Sequence, residues 1–178
     1  MMRRPLPSLL LDDRAAAIIE LALLAPVLVL TYAGIADIST AYSRKLALEQ
    51  GAQRAIEKIM QTTEDSTVEG TLATEAVCQV NGTNSDGTCK STPITTANVT
   101  VTYRLDCTNK STYAITSTTT TNSADTLTWT CPTGTLMAQY ISVVVTDKYT
   151  PTFPIHFTGY DSSDGTYHLS ATAGMRTS

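Results

Sequence analysis

The sequence predicts an α+β protein in which a long N-terminal helix carries an antiparallel β-sheet on its second half. Three observations favour this fold class. Residues 15–37 are almost entirely apolar, residues 38–60 are amphipathic at helical spacing, and the remainder is rich in Thr with alternating apolar residues. Helical spacing indicates a helix, and strict alternation indicates half-buried strands. We therefore expect the first half of the helix to span a membrane and its second half to pack under the sheet.

The chain divides into four segments. Residues 1–14 form a cytoplasmic leader, 15–37 a transmembrane helix, 38–62 an amphipathic helix continuing the anchor, and 63–178 an extracytoplasmic β-domain. About 20 apolar residues at 1.5 Å each cross a hydrocarbon layer of roughly 30 Å. Two alternatives stay open at this point. One is a secretory signal that is removed, and the other is an anchor followed by a separate short helix.

Two residues of the apolar segment are unusual for a plain anchor. Glu20 places a carboxylate about a turn and a half into the segment, where an unpaired charge is costly. Pro26 removes a helical hydrogen bond and is expected to kink the helix. Further along, Gly51 is expected to cost the amphipathic helix up to about 1 kcal/mol relative to Ala. Glu20 is therefore the candidate functional group of the anchor.

The β-domain contains several runs with strand character. The predicted strands are Ala76–Val80, Val99–Leu105, Thr126–Cys131, Tyr140–Asp147 and Tyr167–Ala173, with Thr116–Asn122 as a surface loop or edge strand. Tyr140–Asp147 is the most apolar run and is expected to be central. Asp161–Gly165 is a predicted turn. We expect Ile56 and Ile59 of the helix to be covered by Tyr103, Trp129 or Val144.

All four cysteines follow the apolar segment, which favours two disulfides in an oxidising compartment. Four cysteines allow three pairings, of which Cys78–Cys89 and Cys107–Cys131 each close a local loop. The alternative is four reduced cysteines on a cytosolic face. The spacing is not that of a zinc site, and we expect no metal and no cofactor.

Composition excludes some classes of function. The net charge of −4 argues against nucleic-acid binding, which usually requires a basic surface. The two histidines accompany no nucleophile motif, so we expect no enzyme. Asp161, Asp164 and Gly165 have some likeness to a calcium loop, but the spacing departs from the calcium pattern.

The N-terminal sequence RAAAIIELALLAP resembles the opening RGxxAVEFALxxP of TadE-like pseudopilins of tight-adherence (Tad) pilus systems. The C-terminal sequences ISVVVTDKYTPTFP and YHLSATAGMR resemble the end of the same family. Ala15 stands where the family has Gly before its cleavage point, and Leu21 stands where the family has an aromatic residue. The resemblance covers about the first 60 and the last 40 residues.

The resemblance implies a pilin-like fold and a minor pilin-like subunit of a bacterial inner membrane, with other pilins, the pilus assembly machinery and a prepilin peptidase as partners. Processing would fall between Ala15 and Ala16. Glu20 would then meet the new N-terminal ammonium of a neighbouring subunit, and Arg14 would serve instead if the leader stays. The alternative function is a membrane-anchored extracytoplasmic binding module that joins no filament. A membrane-anchored periplasmic enzyme is the remaining class.

Overall fold

The computed structural model describes residues 13–61, 70–153 and 156–177, with side chains described from residue 18 onward. The elements in chain order are α1 (Asp13–Gln61), α2 (Leu72–Asn81), β1 (Val99–Asn109), β2 (Ile115–Thr120), α3 (Ser123–Thr126), β3 (Thr135–Tyr149), β4 (Tyr160–Asp161) and β5 (Thr166–Arg176). The architecture is α+β, with the sheet packed against the long helix, as the sequence predicts. Most of the predicted leader and of the loop after α1 lies outside the described residues.

The first helix is one continuous element of 49 residues. At 1.5 Å per residue, its length is roughly 73 Å. The apolar and amphipathic segments are therefore parts of a single helix, and the alternative of a separate short helix is wrong. Pro26 lies inside this helix, which continues on both sides of it.

All pairings in the sheet are antiparallel, in the order β2-β1-β3-β5-β4. The prediction that the most apolar run is central is confirmed, because β3 lies between β1 and β5. The register places Tyr103 opposite Ile141 and Val143 opposite Ala173. The Thr-rich run forms the edge strand β2, and the predicted turn at Asp161–Gly165 connects β4 to β5.

The core lies between the second half of α1 and one face of the sheet. The helix contributes Leu48, Ala52, Ala55, Ile56 and Ile59, and the sheet contributes Tyr103, Ile141, Val143, Val145 and Ala171. Ile56 and Ile59 are thus in one buried cluster with Tyr103, and Trp129 packs against it. Val144 does not cover them, because it alternates with the buried Val143 and Val145 and lies on the opposite face.

The predicted strand Ala76–Val80 is wrong, since these residues belong to α2. Leu72 and Ala76 lie four residues apart and are fully buried, which is the spacing of one helix face. This face packs on α1, where Gly51 lets the helices approach closely. A Cβ added at Gly51 would lie 2.6 Å from Val80 Cγ2. Gly51 is therefore a packing requirement as well as a cost in helix propensity.

The predicted strand Thr126–Cys131 is also wrong. Asn122 accepts a hydrogen bond from the backbone N–H of Ala124 and begins the short helix α3. The Asp125 carboxylate accepts hydrogen bonds from the Thr120 hydroxyl and the Asn122 amide, which holds the chain in a turn. Leu127 is 80% exposed, so it does not share a buried face with Trp129.

Both predicted disulfides are present, Cys78–Cys89 and Cys107–Cys131. The first joins α2 to the segment that follows it. The second joins the buried end of β1 to the segment before β3. Each bond closes a loop that contains no large hydrophobic core of its own. Restricting such a loop is the usual role of a disulfide in a small domain.

Candidate functional site: the apolar half of the helix and its junction with the sheet

The N-terminal half of α1 exposes nearly all of its large apolar side chains. They are between 58% and 75% exposed, and they are Ile18, Ile19, Leu21, Leu23, Leu24, Val27, Leu28, Val29, Leu30, Tyr32 and Ile35. The helix is long and apolar enough to cross a membrane. An apolar surface of this extent marks a membrane or protein interface, because soluble surfaces rarely expose such patches.

Glu20 lies on this exposed half of the helix, as an exposed side chain among apolar ones. Within the part of the chain whose side chains are described, no ion pair involves Glu20. The side chains of Arg14, Ala15 and Ala16 lie outside the described residues, although their backbone is in α1. Pro26 is six residues beyond Glu20, about 9 Å along the helix axis.

The sheet is attached to the end of the apolar half of α1 through Asp37, Arg44, Asp147 and Tyr149. We call this set of contacts the junction, and the sequence did not predict it. Asp37 is 5% exposed, and its carboxylate accepts three hydrogen bonds from the end of β3 and the segment after it. The donors are the Tyr149 hydroxyl at 2.9 Å, the Thr152 N–H at 3.0 Å and the Phe153 N–H at 2.9 Å. A buried carboxylate is tolerated only with such donors.

A second pair of contacts lies two helical turns further along α1. Arg44 Nη1 lies 3.0 Å from Asp147 Oδ2, and the Arg44 guanidinium stacks over the Tyr149 ring at 5.5 Å from its centroid. Burial, followed by the hydrogen bond to Asp37, raises the pKa of the Tyr149 phenol above its ordinary value. Tyr149 is therefore a neutral donor at physiological pH, held between Asp37 and Arg44.

The signal for this junction was present in the sequence. Asp37 and Arg44 are seven residues apart, which places them on the same helix face. Asp147 and Tyr149 are two residues apart, which places them on the same strand face. Spacing alone did not indicate that these two faces meet, because strand register against the helix depends on packing over the whole core.

An apolar groove opens beside the junction, with a volume of 640 Å³. Its walls include Ile38 and Tyr42 from α1, Phe157 from the segment after β3, and Leu169 from β5. Phe157 contacts the helix at Gly34, where an added Cβ would lie 3.2 Å from Phe157 Cζ. The groove is thus continuous with the exposed apolar half of α1.

The turn between β4 and β5 gathers three potential cation ligands. Asp161, Asp164 and His168 place ligand atoms within 4.8 Å of one another. Lys148 Nζ and His168 Nε2 each lie 2.7 Å from Asp164 Oδ2. The hydrogen bonds from Lys148 and then from His168 lower the pKa of Asp164, and Asp164 raises the pKa of Lys148. Asp164 of this turn is therefore already paired with Lys148 and hydrogen-bonded to His168.

The stretch from the apolar half of α1 into its buried half also carries the similarity to known proteins. Residues 15–56 match the family model of the TadE-like proteins. This match confirms the predicted resemblance to TadE-like pseudopilins, and it contains Glu20, Pro26, Asp37 and Arg44. No curated protein and no solved structure matches the chain. The TadE-like family implies a protein that is associated with a Tad pilus system.

Proposed function

We propose that this protein is a minor pilin-like subunit of a Tad-type pilus, anchored in a bacterial inner membrane by the apolar half of α1. The observation that carries the proposal is the contrast within α1, where the large apolar side chains of residues 18–32 are exposed all round the helix and one face of the second half is buried under the sheet. The match to the TadE-like family at residues 15–56 supports the same assignment. The role is structural, and no catalytic step is part of it.

The exposed half requires an apolar environment from outside this chain. A bilayer supplies it before assembly, and the helices of other pilins supply it within a filament. The β-domain, with its two disulfides, would then lie on the oxidising side of the membrane. The N-terminus would lie in the cytoplasm, where the assembly machinery and a prepilin peptidase act on such leaders.

Glu20 would be the assembly residue of this surface. A carboxylate in hydrocarbon is stable only when it meets a cation, becomes protonated or reaches the interface. If the leader is removed before Ala16, the new ammonium of a neighbouring subunit neutralises Glu20 and sets the axial register. If the leader is retained, Arg14 of the same or an adjacent chain takes that place.

Glu20→Gln tests this role, because it keeps the shape of the side chain and removes its charge. We expect the variant to insert into the membrane at least as well as the wild type and to lose pilus assembly and capture of partner pilins. Glu57→Gln is the matched control, since Glu57 is an exposed carboxylate on the second half of the same helix. The control should assemble normally.

The alternative function is a membrane-anchored binding module that joins no filament, and the apolar groove beside Asp37 favours it. Normal piliation and normal partner capture by Glu20→Gln would contradict the assembly role of Glu20. If the wild-type protein also fails to co-purify with other pilins from a piliated strain, the filament proposal is contradicted and the binding module stands.

A further inference from the structure

We propose that the described residues after β3, 150–153 and 156–159, lie on the bilayer surface, with Phe153 and Phe157 inserted at the boundary between headgroups and acyl chains. The β-domain would thus be seated on the membrane before assembly, and not held above it by a free helix. This inference rests on the membrane anchorage within the proposed function and is independent of incorporation into a pilus.

The depth of the segment follows from its contact with α1. The Phe157 ring packs on Gly34, with Cζ at 3.2 Å from the position of an added Cβ. Gly34 lies three residues before Asp37, about 4.5 Å closer to the N-terminus along the axis. A hydrocarbon layer of roughly 30 Å that begins near Ala15 extends over about 20 residues and ends near Gly34. The Phe157 ring therefore lies at the hydrocarbon edge.

Asp37 holds the segment at this level. Its carboxylate accepts from the backbone N–H groups of Thr152 and Phe153 and from the hydroxyl of Tyr149. Two of these three donors are backbone groups, so the main chain of the segment is fixed to the helix, and not only a side chain. The height of Phe153 above the membrane is thereby set by the position of Asp37 in α1.

The composition of this region fits a membrane surface. Residues 150–160 contain no Asp, Glu, Lys or Arg. Phe153 and Phe157 are each 40% exposed beside the apolar helix. Tyr42, Tyr149, Phe157 and Tyr167 line the apolar groove, Phe153 donates its N–H to Asp37, and Tyr160 packs edge-on against Tyr167. Aromatic side chains concentrate at membrane–water interfaces, where one end of the ring system is apolar and the other is wet.

Charged groups at the same end of the sheet are compatible with this placement. The carboxylate of Asp164, in the turn before β5, is paired with Lys148 and His168, which lie on the face of the sheet opposite that of Asp147 and Tyr149. On the side of α1, Arg44 is paired with Asp147. These pairs belong in the hydrated layer, and the apolar contact is limited to the strip beside the helix.

Tryptophan fluorescence in vesicles tests the proposal with the full-length chain. The wild type has a single tryptophan, Trp129, which packs near Ile59 at the membrane-distal end of the core and supplies the baseline. Phe157→Trp and Phe153→Trp each add one reporter. The variants are reconstituted, at a low protein-to-lipid ratio, in phosphatidylcholine vesicles with acyl chains brominated near the headgroup.

We expect brominated lipid to roughly halve the added emission of Phe157→Trp, with a similar effect in Phe153→Trp and protection of both from aqueous acrylamide. Two control variants give the quenching expected of a position in the lipid and of a position in water. Leu28→Trp, within the apolar half, should be quenched by the lipid. Tyr113→Trp, in the exposed β1–β2 connection at the other end of the sheet, should be quenched by acrylamide only.

The outcomes separate this inference from the anchorage on which it rests. Lipid quenching of Leu28→Trp without quenching at positions 153 and 157 would overturn the inference and leave the anchor intact. Absence of lipid quenching in Leu28→Trp would overturn both. Protection of Phe157→Trp from lipid and acrylamide together would show that protein covers the site, which also overturns the inference.

Discussion

From residue 18 onward, the first half of α1 carries eleven large apolar side chains, all of them exposed, whereas the second half carries seven, of which Leu48, Ile56 and Ile59 are buried. Leu28 in the first half is 61% exposed, and Leu48 in the second half is 1% exposed. The difference does not arise from hydrophobicity, because both residues are leucine in the same helix. It arises from coverage, because the sheet and α2 cover one face of the second half, whereas the described residues leave the large apolar side chains of the first half exposed.

The pattern of the sequence reflects this division. The second half has one buried stripe with polar residues such as Gln53 and Glu57 on its other side, which suits a helix packed on one sheet. The first half is apolar all round, which suits a helix surrounded by lipid or by other helices. Asp37 marks the boundary between the two environments, because it is the first buried polar group after the apolar run.

We expect the largest difference in the free energy of unfolding between the two halves from a matched pair of Leu→Ala substitutions. Leu48→Ala should lower the free energy of unfolding of the β-domain by about 3–5 kcal/mol, since it removes buried methyl groups and leaves a cavity. Leu28→Ala should change it by less than about 0.5 kcal/mol. Urea denaturation of the detergent-solubilised protein, followed by Trp129 fluorescence, measures both. Equal effects of the two substitutions would show that the halves are not separate environments.

A smaller effect is expected at the boundary itself. Asp37→Asn keeps the size of the side chain but replaces one acceptor oxygen with an N–H₂ group facing N–H and O–H donors. The segment after β3 should detach from α1, so amide hydrogen exchange at Thr152 and Phe153 should accelerate. The core around Leu48 should keep its protection, because it does not depend on this carboxylate.

Tyr149→Phe is the control for that experiment, since it removes one of the three donors to Asp37 and leaves both backbone donors in place. Its effect on exchange at Thr152 and Phe153 should be clearly smaller than that of Asp37→Asn. Unchanged exchange in Asp37→Asn would contradict the role of Asp37 in holding the segment, and with it the depth argument for Phe153.

The parts of the fold that sequence patterns predicted are those in which local periodicity and burial agree. β1 alternates apolar and polar residues, β3 is a continuous apolar and β-branched run, and α1 has a sustained apolar period, so their existence and class could be predicted. Ala76–Val80 is too short for periodicity to distinguish a strand from a helix. Its helical state is decided by packing on α1, where Ala76 and Val80 meet Gly51, and that contact is tertiary.

The candidate site divides in the same way. Glu20 and Pro26 could be singled out because each is unusual within a local run of apolar residues. Asp37, Arg44, Asp147 and Tyr149 come from two segments about 110 residues apart, and only the folded chain brings them together. A short helix at Ser123–Thr126 was missed because side-chain hydrogen bonds of Asn122 and Asp125, rather than periodicity, stabilise it.

The smallest of these effects on stability concerns the two glycines of α1, one in each half. Gly51→Ala should destabilise the β-domain by about 1–2 kcal/mol, despite the better helix propensity of Ala, because overpacking outweighs that gain. The added Cβ would lie 2.6 Å from Val80 Cγ2 and 3.0 Å from the Ala76 carbonyl oxygen. Neither group can move without shifting α2, since Val is stiff at χ1 and the carbonyl is backbone.

Gly34→Ala is the matched substitution in the first half, and its added Cβ meets only the far end of the Phe157 ring at 3.2 Å. That ring belongs to a segment outside the core, so it can yield by a few tenths of an ångström, and the free energy of unfolding should change by less than about 0.5 kcal/mol. Thermal denaturation of the two variants in the same detergent measures the difference. A loss in Gly34→Ala as large as in Gly51→Ala would mean that Phe157 is held as rigidly as the core, and would contradict the expected difference between the two halves.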